Sequence, residues 1–133
     1  MTNENTNEIV QNPKIVGAVD IEKIELRPFN GKASKIEKVE IEEHAEFGKF
    51  VKVSSLTLEG SPKDNPIIAT KVLGLIEVKN KETGEVEGYG WGKESKTAMF
   101  LKKYNVENLN DLIGQPIVVI FEYTKKGKEV LTF

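Results

Sequence analysis

The residues best suited to chemistry lie in a glycine-rich segment, GYGWGKESK, at positions 88–96. Tyr89 and Trp91 are two residues apart, so their side chains share one face if this segment is a strand. Glycine at the alternate positions leaves the opposite face bare, and an accessible aromatic platform is what base stacking requires. Burial of Trp91, the single tryptophan, as a core anchor is the competing interpretation, and both stay open.

The side chains that follow this platform could bind an anion. Lys93, Ser95 and Lys96 stand where a helix is predicted to begin, and the free N–H groups and dipole of a helix start favour negative charge. A serine N-cap flanked by solvated lysines is the alternative. The glycines lack the spacing of a dinucleotide-binding fingerprint, and GKE is not the GK[ST] of a P-loop. Nucleotide hydrolysis therefore has no support in the sequence.

Lysines are concentrated towards the end of the chain. From residue 93 onward there are seven lysines against five acidic residues, a net charge of +2, although the whole chain carries -2. If they face one groove, they could follow a phosphate backbone, while a solvated surface is the alternative for each of them. Arg27 is the only arginine, and bidentate base reading favours arginine. The candidate phosphate contacts are Lys93, Lys96, Lys102, Lys103, Lys125, Lys126 and Lys128.

A further aromatic candidate lies in the segment AEFGK at 45–49, which is predicted to be a hairpin turn. Phe47 at its tip could stack on a base if the loop between the first two strands borders a binding groove. The neighbouring carboxylates oppose this, since they would repel phosphate. These are Glu42, Glu43 and Glu46.

The residues that catalysis usually needs are scarce. The chain has no cysteine, which excludes disulfides, thiol nucleophiles and cysteine-ligated metals. His44 is the only histidine, and its spacing from the nearby glutamates within one strand and hairpin does not converge on a metal. We therefore expect a binding protein, not an enzyme, with no catalytic residue, no metal and no cofactor.

The elements that must position these residues are mostly strands. Alternating and β-branched residues predict strands around Ile36 to Ile41, at 50–58 and at 86–92. They also predict one long bent strand at 67–78, with a bulge or kink at Gly74. Turn residues separate them at 59–66 and 80–85.

After residue 92 the spacing of the apolar residues changes from that of a strand to that of a helix. Ser95 and the apolar residues after it predict a helix at 96–104, and Gly114 is predicted to end a short turn. A strand at 117–124 and a last strand at 129–133 follow, and Phe121 and Tyr123 share a face with Val119, which favours core burial. The buried side of the short turn is predicted to be Leu109, Leu112 and Ile113.

The order β-β-β(-β)-α-β-β predicts a mainly β protein with one helix. Its connectivity is that of an OB-fold-like five- to six-stranded antiparallel Greek-key barrel, and a split sheet with one packed helix is the alternative. A chain of 133 residues suffices for one core. We assign 1–13 as a flexible polar tail and 14–133 as a single OB-like domain, with the role of 14–31 left open.

One part of the chain resembles a known family. The stretch from Gly90 to Gly114, GWGKESKTAMFLKKYNVENLNDLIG, precedes a β-rich run and the terminal segment KGKEVLTF. Together they resemble the C-terminal part of small OB-fold single-stranded-DNA-binding proteins of phages, plasmids and archaeal viruses. The resemblance covers about a third of the chain and includes no catalytic signature. It implies an OB fold and a role in the replication or recombination of a mobile element.

The function we expect is sequence-tolerant binding of single-stranded nucleic acid, with DNA favoured, through aromatic stacking and lysine–phosphate contacts. The alternative is a protein–protein interaction module, such as a viral inhibitor or an assembly factor. It is favoured by the net charge of -4 over residues 1–92, which is what remains of the total of -2 after the +2 of residues 93–133.

The sequence also predicts where the protein works. No apolar run is long enough to cross a bilayer, and Met1 to Lys14 is too polar for a signal peptide. We expect an intracellular, cytoplasmic protein, in the host cytoplasm if it is viral, with no membrane partner. The abundance of Lys, Glu and Ile resembles the composition of thermophile proteins.

Overall fold

The computed structural model describes residues 15–18 and 24–133. The predicted tail at 1–13 lies outside the described residues, as do residues 14 and 19–23. The described chain is mainly β with one helix, as predicted, and its eight strands form antiparallel sheets. The strands are β1 (Ala33–His44), β2 (Gly48–Ser55), β3 (Thr70–Gly74), β4 (Ile76–Lys79), β5 (Val86–Gly90), β6 (Pro116–Val118), β7 (Ile120–Tyr123) and β8 (Glu129–Thr132), and the helix is α1 (Lys96–Lys103).

A curled four-stranded sheet with the order β3-β2-β1-β6 is the body of the fold. The hairpins β4-β5 and β7-β8 form two further sheets. The predicted turn at 45–49 is confirmed, since it joins β1 to β2 with His44 opposite Gly48. Gly48 has a φ of +76°, a left-handed conformation that glycine adopts without strain.

The core lies between the inner face of the curled sheet, α1 and β8. Val51 and Val53 of β2 are fully buried, as is Leu112 of the short 3-10 turn at Leu109–Leu112. Ser55 is buried without an orphaned hydroxyl, because its Oγ accepts a hydrogen bond from the Ala69 N–H and donates one to the Leu56 carbonyl. The other large buried side chains include Ile36, Leu73, Phe100, Leu101, Ile117, Val119, Leu131 and Phe133.

The helix prediction is confirmed, with its end one residue earlier than expected. The Ser95 Oγ accepts a hydrogen bond from the Ala98 N–H at 3.2 Å, which is the N-cap that the sequence predicts. The apolar residues Phe100 and Leu101 turn towards the core. Three residues beyond the helix were predicted to be buried. Leu112 is buried and Leu109 is half-buried, but the prediction for Ile113 is wrong, because its side chain is 52% exposed.

The prediction of one long strand at 67–78 is wrong, because this segment forms two strands that belong to different sheets. β3 ends at Gly74, β4 begins at Ile76, and the half-buried Leu75 between them packs against the core. The Thr97 hydroxyl donates a hydrogen bond to the Gly74 carbonyl at 2.8 Å, so α1 binds a backbone group at the break. The bulge or kink predicted at Gly74 is thus the place where the chain passes from one sheet to the other.

The strand predicted at 117–124 is divided in the same way. Val119 is 1% exposed and separates β6 from β7. Its N–H donates to the Lys32 carbonyl at 2.8 Å, and its carbonyl accepts from the Gly31 N–H at 2.7 Å. Burial of Phe121 is partly confirmed, but burial of Tyr123 is wrong: it is 54% exposed, and its hydroxyl accepts a hydrogen bond from Arg27 Nη2 at 2.8 Å.

None of the helices in the described part of the chain is long and apolar enough to span a membrane.

Candidate nucleic-acid interface

Two grooves run along the sides of α1. Helical side chains three or four positions apart are neighbours, so Lys96, Met99 and Lys103 share one side of α1, and Leu101 and Lys102 lie on the other. The same eight-residue helix therefore presents lysines on both sides.

The first groove, here called the Trp91 groove, has a volume of about 380 Å³. Trp91 is half-buried there and packs against the core, so its face is only partly available to a ligand. Lys93 and Lys102 supply positive charge to this groove, and Glu107 supplies one carboxylate. Leu101 and Val106 are among the apolar side chains that complete the lining.

The second groove, here called the Phe100 groove, lies between α1 and β3 and has a volume of about 540 Å³. Its lysines come from both elements, Lys71 from β3 and Lys96 and Lys103 from α1, and no acidic side chain lines it. Its apolar part consists of Val72, Leu73, Met99, Phe100 and Phe133.

Cation–π and aromatic contacts order the Phe100 groove. The Lys71 Nζ lies 5.9 Å from the centroid of the Phe100 ring, which is within the range of a cation–π contact. The same ring contacts Tyr104 at 5.0 Å and Phe133 at 6.0 Å between centroids. Met99 is 64% exposed, so the groove has an accessible apolar surface between its lysines.

Tyr104 is the residue that follows α1, and the Lys103 Nζ lies 5.6 Å from the centroid of its ring. Partial burial raises the pKa of its phenol above the usual value. Since that usual value is near 10, the hydroxyl remains neutral at physiological pH and can donate a hydrogen bond.

The predicted pair of Tyr89 and Trp91 is not brought together in one groove. Tyr89 lies in β5, is 40% exposed, and has the Lys49 Nζ 4.7 Å above its ring. Trp91 lies beyond the end of β5 and lines the Trp91 groove. On the other face of β5, Val78 Cγ2 of β4 lies 3.4 Å from where a Cβ of Gly90 would stand, whereas the space beside Gly88 is open.

Phe47 occupies the tip of the β1-β2 hairpin, as predicted, and is 78% exposed. Its ring packs at a tilt against His44, with 4.7 Å between centroids. Together with Lys49 and Phe50 they line an apolar cavity of about 320 Å³. Glu42, Glu43 and Glu46 around this tip are exposed.

The lysines predicted to contact phosphate fall into three places. Lys93 and Lys102 line the Trp91 groove, and Lys96 and Lys103 line the Phe100 groove. The other three, Lys125, Lys126 and Lys128, are exposed at the tip of the β7-β8 hairpin. That tip lines none of the grooves that contain the helix lysines.

Two residues that line the Phe100 groove were not among the site residues predicted from the sequence. Lys71 and Met99 lie in the Phe100 groove, Lys71 in a β-branched run and Met99 in the predicted helix. Lys71 could have been recognised as a candidate because it is a charged residue within an otherwise largely apolar strand. Its position beside α1 depends on the break after β3, which local patterns do not reveal.

His44 has local contacts that account for its position. Its Nδ1 accepts a hydrogen bond from the Glu46 N–H at 3.1 Å. Among residues 15–18 and 24–133, no group of three His, Cys, Asp or Glu side chains is placed to hold a metal ion.

In comparisons with known proteins, no family model matches this chain, and no match was found among curated proteins or solved structures.

Proposed function

We propose that this protein binds single-stranded nucleic acid, DNA in the first place, along the two grooves beside α1, without strong preference for base sequence. The observation that carries the proposal is the convergence of five lysines from three segments on the sides of one helix, over apolar and aromatic floors. The five, here called the groove lysines, are Lys71, Lys93, Lys96, Lys102 and Lys103.

The chemistry of the grooves fits a flexible, negatively charged chain. Lysine binds phosphate as a point charge, and releasing the counterions of the phosphates drives the association. Exposed apolar and aromatic surface between the lysines offers contacts to the faces of bases, which every base possesses. Met99 and the accessible part of Trp91 are the side chains placed for that contact.

The absence of arginine from both grooves supports sequence tolerance. Bidentate hydrogen bonds to base edges come most often from arginine, and Arg27 instead contacts the Tyr123 hydroxyl and the Phe121 ring. The groove lysines therefore favour contact with the phosphate backbone of the nucleic acid over recognition of its base sequence.

The connectivity is compatible with an OB-like barrel as the framework of this proposal. β6 pairs with β1, the chain continues after Val119 into β7, and β7 pairs with β8. β8 in turn contacts β3, the other edge of the curled sheet. In this interpretation, β4-β5 is a hairpin inserted between the third barrel strand and the helix.

We propose that the bound strand serves replication or recombination of a mobile element, in the cytoplasm of its host. This part of the proposal rests on the resemblance of residues 90–114 to phage, plasmid and archaeal-virus proteins.

Titration of the intrinsic fluorescence of Trp91 tests the binding. The ligand is an oligothymidylate of about 16 nucleotides, the upper site size of one OB fold, and the anisotropy of a labelled copy is followed in parallel. We expect binding at low salt with a change in Trp91 emission, and much weaker binding at high salt. Anisotropy that does not change at low salt would contradict the proposal.

A matched pair of lysine variants makes the test specific. Lys102→Ala removes a charge from the Trp91 groove, and Lys63→Ala removes one from an exposed position in the 59–66 loop. We expect clearly weaker binding from the first variant and, from the second, an affinity within about twofold of that of the wild type. Equal losses from both would assign the binding to net charge and not to the groove.

A second candidate function, docking of a protein partner, is favoured by the tip of the β1-β2 hairpin. Phe47 is highly exposed there, and the apolar cavity beside it is bordered by His44 and Lys49. An isolated aromatic anchor beside an apolar cavity suits a protein partner better than it suits phosphate, since three glutamates surround it.

A further inference from the structure

The β4-β5 hairpin leaves one edge of β4 open. Within the part of the chain that the structure describes, β4 pairs with β5 alone, and all four of its residues are exposed. Two of them are apolar: Ile76 is 57% exposed and Val78 is 45% exposed. A strand edge that carries apolar side chains is a template for pairing with another strand.

The backbone of β4 determines which residues present this edge. The Asn80 N–H donates a hydrogen bond to the Glu85 carbonyl at 2.8 Å, so the backbone groups of Asn80 face β5. The register shifts between Val78 and Lys79, but the extra residue, Glu87, is on β5. The alternation along β4 therefore continues, and the backbone groups of Val78 and Ile76 also face β5. The backbone groups of Glu77 and Lys79 therefore point away from β5, along the open edge.

The charges on this edge are arranged symmetrically about Val78. Glu77 precedes it and Lys79 follows it, and the two side chains lie on the same face, with Lys79 Nζ 3.7 Å from Glu77 Oε2. A strand with opposite charges on either side of its centre is complementary to an antiparallel copy of itself.

We propose that this edge pairs with the same edge of a second copy of the chain, as a two-fold antiparallel dimer with Val78 at the axis. Glu77 then stands opposite the partner's Lys79, and Lys79 opposite the partner's Glu77. Both pairs have their backbone groups turned towards the other copy, so each can exchange two hydrogen bonds. Four charges of alternating sign lie on one face of the joined sheet.

The other face supports the same register. Ile76 and Val78 stand opposite Gly90 and Gly88, whose missing side chains leave the apolar residues uncovered. In the dimer the two Val78 side chains meet at the axis, where facing side chains of a non-hydrogen-bonded pair approach most closely. The surface that this pairing covers is the apolar part of an otherwise charged strand.

A second copy fits this edge better than an unrelated strand does. A two-fold interface requires a surface that is complementary to itself, and Glu77, Val78 and Lys79 meet that requirement in sequence and in backbone direction. β5 does not, since its one charged residue is Glu87 and it has no basic residue to stand opposite that carboxylate in a second copy.

Charge exchange tests the dimer through its mass, measured by sedimentation and light scattering over a concentration series. Glu77→Lys places like charges opposite each other twice, and so does Lys79→Glu. We expect each single variant to raise the dimer dissociation constant by about tenfold or more. The double variant Glu77→Lys/Lys79→Glu restores opposite pairs, and its dissociation constant is expected to return towards that of the wild type.

Mixing the two single variants is the most discriminating part of the experiment. One copy then carries two basic residues at the edge and the other two acidic residues, so a heterodimer forms although neither variant dimerises well alone. Glu122→Lys, the same charge change on β7, is the matched control and is expected to leave the dimer unchanged. Circular dichroism checks that each variant is folded.

Three outcomes would overturn the proposal. The first is a wild-type mass that stays at one chain throughout the series. The second is a dimer that the two single variants leave unchanged. The third is an equimolar mixture of the single variants that does not associate more strongly than each alone.

Discussion

The Phe100 groove and the tip of the β7-β8 hairpin carry the same charge in different surroundings. Each presents three lysines, Lys71, Lys96 and Lys103 in the groove and Lys125, Lys126 and Lys128 at the tip. In the groove the lysines come from two elements and enclose a buried aromatic floor, whereas at the tip they follow one another along one turn. The number of positive charges is thus equal. The difference is that a nucleic-acid strand in the groove could contact lysines and apolar surface together, whereas at the tip it could contact lysines alone.

The largest effect is expected from removing the lysines of the groove. The variant Lys71→Ala/Lys96→Ala/Lys103→Ala is expected to lower the affinity for single-stranded DNA about 100-fold at low salt, because the three phosphate contacts that we propose for this groove are lost together. Fluorescence anisotropy with a labelled oligonucleotide measures it. Thermal unfolding followed by circular dichroism separates this loss from unfolding, and a loss below about threefold in a folded variant contradicts the assignment.

Removing the lysines of the tip is a matched experiment, because the change in net charge is the same. Lys125→Ala/Lys126→Ala/Lys128→Ala is expected to reduce affinity about tenfold, since an exposed turn contributes charge without an apolar floor. The same anisotropy measurement compares the two variants directly. If the tip variant loses as much affinity as the groove variant, the comparison fails and net charge alone determines binding.

The smallest effect is expected at the other hairpin tip. Phe47→Ala is expected to weaken DNA binding about threefold, less than the roughly 1–3 kcal/mol per base of an unopposed stacking contact. The reason is that Glu42, Glu43 and Glu46 repel phosphate from this tip. Measurement at low salt checks it, because the repulsion is strongest there. An unchanged affinity would leave Phe47 to the second candidate function, the docking of a protein.

Local features of the fold were predictable from the sequence. The Ser95 cap and the β1-β2 turn depend on residues that are neighbours in the chain, and both were correctly located. The breaks at Leu75 and Val119 were missed because the breaking residues are apolar or β-branched and suit a continuous strand. Each break is stabilised by a distant partner, Thr97 in one case and Gly31 and Lys32 in the other.

The candidate site shows the same limit. The helix lysines were identifiable from their types and spacing, because α1 itself was. Their combination with Lys71 was not, since it depends on how β3 ends beside α1. One of the two interpretations left open for Trp91 was a shared platform with Tyr89, but β5 ends between them, so each contacts a different part of the molecule.

The salt dependence of the affinity tests the central claim most directly, because it counts the phosphate contacts that we propose for the groove. For single strands each contact contributes about 0.7 to the slope of log affinity against log salt concentration, so the Phe100 groove variant should have a slope smaller by about 2 than the wild type. That reduction, seen equally with oligothymidylate and with a mixed sequence, is the predicted result. A slope identical to that of the wild type would contradict the account.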